Sequence, residues 1–87
     1  MIYRDKNYFI LNTTVLQDKS LSLDAKGLHC YLMTLPDDWK IYLEEIQQHS
    51  LDQESSILSA MNELEKSGYV KKVPEKRGWT YDVFETK

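Results

Sequence analysis

Cysteine occurs once, at Cys30, so no disulfide can form within the chain. Its place in an apolar segment reads as a buried, inert thiol. Prolines number two and glycines three, and nothing is repeated or low in complexity, which excludes a linker or a disordered tail. Long apolar runs are missing as well. The longest, residues 8–11 and 30–33, reach four residues, too short for a membrane span or a signal peptide, so the cytoplasm is the expected location. A glycine-rich phosphate loop is absent. His29 and His49 stand apart, and adjacent His29 and Cys30 would leave a helix on different sides, so no metal site is expected. Asp37 and Asp38 read as solvated loop acids rather than a catalytic pair. No catalytic residue, cofactor or small-molecule substrate follows from these patterns, and the chain is not expected to be an enzyme.

The 87 residues are enough for one domain, 1–87, with a modest core. The net charge of −3 argues mildly against nucleic acid, but its distribution is uneven. Residues 37–65 hold eight acids (Asp37, Asp38, Glu44, Glu45, Asp52, Glu54, Glu63, Glu65) and one base, Lys40. Residues 66–77 hold five bases (Lys66, Lys71, Lys72, Lys76, Arg77) and one acid, Glu75. Only the second stretch could attract phosphate.

The most informative stretch is 43–69, which reads as a short helix, a turn and a longer helix over 53–67 ending at Gly68. At 100° per residue, Ile57, Leu58, Ala60, Met61 and Leu64 fall on one side of the longer helix. Ser55, Ser59, Asn62 and Lys66 form a narrow stripe on the other, with Glu54, Glu63 and Glu65 on its flanks. Short hydrogen-bonding side chains in a row suit a DNA groove; they also suit an ordinary solvated face.

Around this stretch the pattern predicts a strand at 8–11, a helical turn near Val15, and a helix from an Ser22 cap to Leu35, stopped by Pro36. Ala25, Leu28, Leu32 and Leu35 form the apolar stripe of that helix. Gly27 inside it predicts a close crossing by another element. Residues 39–41 are expected to form a bridge strand with Trp39 and Ile41 inward, and 43–49 a helix with Leu43 and Ile46 inward. Residues 69–73 and 79–84 alternate as two strands around a turn at 74–78, with Trp79, Tyr81 and Val83 on one face and Trp79 anchored in the core. The order strand, helix, short strand, helix, helix, strand, strand predicts an α+β winged helix-turn-helix: three helices, a small antiparallel sheet and a C-terminal β-hairpin wing.

The segment LSLDAKGLHCYLMTLPDDWK, followed by MNELEKSGYVKK, resembles the N-terminal winged-helix domain of phage and plasmid replication initiators of Gram-positive bacteria, the replisome-organiser or DnaD-like proteins. The matching positions are Leu21, Ser22, Ala25, Lys26, Gly27, Leu28, Tyr31, Leu32, Leu35, Pro36, Asp37, Asp38 and Trp39, then Leu64, Glu65, Gly68 and Tyr69. The resemblance spans nearly the whole chain. It implies DNA binding or assembly of replication proteins at an origin, and a further domain, so that 1–87 is either a standalone small protein or one part of a longer one. Two positions depart from the pattern. Tyr42 stands where a Ser or Thr cap is common, and the helix-turn-helix is unusually acidic.

For DNA, Gln53, Ser55 and Ser56 would approach phosphate at the start of the longer helix. Ser59 and Asn62 would reach base edges, with Asn62 able to pair bidentately with adenine. Lys66 would meet phosphate, and Lys71, Lys72, Lys76 and Arg77 would hold the backbone or minor groove through the wing. The partner is then double-stranded DNA, with a second copy or replication proteins beside it. The alternative is a winged helix that binds protein, either as an oligomerisation module of a replisome protein or as an inhibitor whose acidic surface covers a nucleic-acid site.

Overall fold

Ser22 has extended backbone, and its Oγ accepts the Ala25 N–H at 3.2 Å, so the first helix begins at its expected cap. In the computed structural model, which describes residues 10–48, 54–76 and 78–86, three helices precede one hairpin. They are α1 (Leu23–Leu32), α2 (Leu43–Gln48), α3 (Glu54–Lys66), β1 (Val70–Glu75) and β2 (Gly78–Val83). The protein is thus a small α+β domain.

Helix α1 stops three residues before the expected Leu35. The Thr34 and Leu35 N–H groups bond the carbonyls of Tyr31 and Leu32, three residues back, at 3.0 and 3.1 Å. Thr34 Oγ1 also donates to the Tyr31 carbonyl at 2.6 Å. The last turn therefore tightens before Pro36, whose ring disfavours helical backbone at Leu35.

Gly27 corrects an expectation. It is exposed, and a Cβ built there meets nothing within 4 Å, so among the described residues no element crosses close to it. The glycine only loosens the unfolded chain and weakens the helix. Gly27→Ala is expected to raise stability by about 0.5–1 kcal/mol in a urea titration, with an unchanged m-value.

Between α1 and α2 the expected bridge strand is missing. Residues 39–41 are in no regular element, and the Trp39 N–H turns back to the Pro36 carbonyl at 3.0 Å. Ile41 is buried as expected, but Trp39 is 52% exposed, its indole N–H held by Glu45 Oε2 at 3.2 Å. The strand expected at 8–11 lies partly outside the described residues, and Ile10 and Leu11 belong to no regular element. Among the described residues, the sheet is therefore the hairpin alone. The predicted turn near Val15 is present: the Gln17 N–H reaches the Thr13 carbonyl at 3.0 Å, and Val15 enters the core. Helix α2 starts on the Tyr42 carbonyl, which accepts from Glu45 and Ile46, and buries Ile46. The expected turn at 50–52 and His49 lie outside the described residues.

Helix α3 ends in a two-bond glycine cap. Gly68 takes φ +87°, the Gly68 N–H bonds Glu65 O at 3.2 Å, and the Tyr69 N–H bonds Leu64 O at 2.9 Å. Leu64 and Tyr69 are both buried, supplying the apolar contact that accompanies such a cap. The chain then enters β1, antiparallel to β2 with Val70 opposite Val83 and Glu75 opposite Gly78. The connection is thus residues 76–77, shorter than the expected 74–78. Pro74 pairs with Trp79 inside the strand, which an edge strand tolerates where the missing N–H would point outward. Gly78, at φ +116°, takes a backbone conformation that a side chain would strain.

Long-range hydrogen bonds tie the elements together. Glu63 of α3 takes both donors of Ser22, the N–H at 2.9 Å and the Oγ–H at 2.6 Å. These two bonds hold the Glu63 carboxyl below its ordinary range. Tyr69 Oη donates to Asp18 Oδ2 at 2.7 Å, and its ring meets His29 edge-on, 5.8 Å between centroids. His29 is buried, and its Nε2 lies 2.8 Å from the Phe84 carbonyl. A carbonyl can only accept, so that nitrogen carries the proton. The core fills the space between these ties: Ala25 and Leu32 of α1, Ile46 of α2, Ile57, Ala60, Met61 and Leu64 of α3, and Val70 and Tyr81 of the hairpin.

Candidate nucleic-acid interface

The four buried residues of α3 are Ile57, Ala60, Met61 and Leu64, an arc of about 100° of the helix surface. Everything opposite is solvated. Ser55, Ser56, Ser59, Asn62 and Lys66 are all exposed, as the sequence predicts. Leu58 departs from its expected inward place. It is 41% exposed and lies between the polar row and the acids Glu54 and Glu65, which are exposed as well. Glu63, on the other flank, is engaged by Ser22, so its charge is partly satisfied inside the fold. The Glu65 charge is felt in the hairpin, where it adds to burial in raising the Tyr81 phenol above its ordinary range.

In the hairpin, Lys71, Lys72 and Lys76 are exposed. Lys71 and Lys72 are neighbours in β1, so their side chains leave from opposite faces of the ribbon and do not make one plane of charge. Gln53 and Arg77 lie outside the described residues. The bases thus divide among the end of α3, the two faces of β1 and the connection.

Trp79 overturns its expected role as a core anchor. It shares a face with Tyr81 and Val83, as alternation predicts, and Tyr81 is buried. Trp79 itself is 50% exposed, beside a cleft that separates it from the start of α2. The Lys72 ammonium sits over its ring, 4.7 Å from the centroid. In register terms Lys72 faces Tyr81 and Pro74 faces Trp79, so lysine and indole are diagonal neighbours. That diagonal could have been drawn from the sequence only with the two-residue connection known.

Among the described residues, no group of three or more His, Cys, Asp or Glu could hold a metal ion. Cys30 is a free, half-buried thiol. No helix among the described residues is long and apolar enough to cross a membrane. No protein-family model, curated protein or solved structure matches the chain.

Proposed function

We propose that this domain is a DNA-binding winged helix-turn-helix of a phage or plasmid replication initiator or related regulator, working in the cytoplasm. Helix α3 enters the major groove and the hairpin lies along the backbone as the wing. The observation that carries this reading is the exposure of the Ser55, Ser59, Asn62 and Lys66 row while Ile57, Ala60, Met61 and Leu64 opposite are buried. Ser59 and Asn62 then read base edges, and Ser55 and Ser56 sit near phosphate at the start of the helix, with Gln53, which precedes α3 in the sequence, as a further phosphate contact. Lys66, Lys71, Lys72, Lys76 and Arg77 are five phosphate contacts at most. A monomer therefore binds weakly, and useful affinity comes from a second copy or a tethered domain.

The test is binding to duplex DNA across a salt series. Five contacts give a slope of about −4.5 in log K against log salt, and Lys76→Ala with Arg77→Ala brings it to about −2.7. Absence of any salt-sensitive duplex binding would refute the reading. A protein-binding winged helix then takes its place, and one observation favours it: exposed Glu54 and Glu65 border the very row that would meet phosphate.

A further inference from the structure

The exposed face of Trp79 does not stand alone. It forms one wall of a cleft of about 220 Å³ between the start of α2 and the hairpin, with Tyr42, Tyr81, Gly78, Glu44 and Lys72 around it. This volume falls below the ~300 Å³ at which pockets for drug-sized ligands begin, so the cleft suits one planar ring rather than a larger ligand. Three aromatic side chains, one flexible cation and one carboxylate meet there, and α3 contributes nothing to it.

We infer that this cleft takes a single unstacked base of a single-stranded nucleic acid, stacked on Trp79, with Lys72 as its phosphate contact. A base held within a duplex has no free face to offer, whereas an unpaired one exposes its π-surface and stacks on an aromatic side chain whatever its identity. The Lys72 ammonium covers the Trp79 ring in the free protein. Cation–π contact is weak where water competes, and both side chains are exposed, so an arriving base displaces the ammonium readily. The freed ammonium then meets the phosphate of the same nucleotide on its long stem. Glu44 lines the cleft and can only accept, so it favours bases that present an amino or imino N–H. A cationic ligand is the poorer fit, since the Lys72 charge already occupies the aromatic surface and would repel it.

This inference goes beyond groove reading by α3; it shares Lys72 with the duplex contacts but rests on Trp79, which groove reading does not use, so substitutions at Trp79 and at Ser59 and Asn62 separate the two. In a Trp39→Phe background, fluorescence excited where tryptophan but not tyrosine absorbs reports Trp79 alone. Titration with a short single-stranded oligodeoxynucleotide should quench it saturably. Trp79→Leu should weaken single-strand binding about 5- to 150-fold, while Trp79→Phe retains most of it. Lys72→Gln should lower the salt slope by about one contact. Ser59→Ala with Asn62→Ala should leave single-strand binding unchanged, whatever it does to duplex binding. Three outcomes would overturn the inference: no quenching at any oligonucleotide concentration, equal affinity for the Leu and Phe variants, or quenching by an arginine-containing peptide and not by the oligonucleotide.

Discussion

Tyr69→Ala is expected to cost about 3–5 kcal/mol, the range for deleting a large buried aromatic side chain. A domain of this size is stable by about 5–15 kcal/mol, so this one change removes from about a fifth to all of that stability. Tyr69 is 1% exposed and joins four parts of the fold. It closes the glycine cap of α3, stacks edge-on against His29 of α1, accepts the Phe84 N–H after β2, and donates to Asp18 in the loop before α1. Tyr69→Phe separates the phenol from the ring, with an expected loss of about 1.5 kcal/mol for a hydrogen bond to a charged group. The pH dependence gives a second measurement. Burial, followed by the Asp18 hydrogen bond and the Asp18 charge, raises the Tyr69 phenol above its ordinary value. Its contribution is fully present below about pH 10, where the unfolded phenol still holds its proton. It falls as pH rises above that and toward the folded value. Tyr81 is raised in the same direction, so Tyr69→Phe should shallow the alkaline limb of a stability–pH curve without abolishing it. An unchanged alkaline limb would contradict the assignment.

Leu64→Ala against Leu58→Ala gives the second large contrast, within one helix and one residue type. Leu64 is 0% exposed and Leu58 is 41% exposed. The first substitution is expected to cost about 2–5 kcal/mol in a urea titration, the second about 0.5 kcal/mol. This contrast tests the rotation of α3 about its axis, on which the outward placement of Ser59 and Asn62 depends. Similar losses at both positions would mean that the helix is turned, and the groove-reading proposal would fall with it.

Local signals in the sequence placed most of the element ends. Ser22, Gly68 and the alternation of 79–83 act within a few residues, and each lies where its chemistry demands. Local signals do not report how far a neighbouring layer extends. Alternation assigned Trp79 and Tyr81 to one face correctly, yet only Tyr81 is buried. The apolar side of α3 was likewise legible for Ile57, Ala60, Met61 and Leu64, while Leu58 sits just past the edge of the buried arc. His29 stood unpaired in the sequence because its partner, the Phe84 carbonyl, lies 55 residues away. Gly27 misled in the opposite sense, since a helical glycine suggests a close neighbour and here has none among the described residues. For the candidate site, exposure of the polar row followed from helical spacing. The separation of Lys71 from Lys72, and the Lys72–Trp79 contact, needed the strand register.

The Ser22 hydroxyl serves two masters. It receives the Ala25 N–H that opens α1, and it gives its own proton to a carboxylate on α3. Ser22→Ala therefore removes the cap of α1 and one of the two bonds to Glu63 together. The cap of one helix and the anchor of the other are thus the same serine, and loss of its hydroxyl weakens both at once.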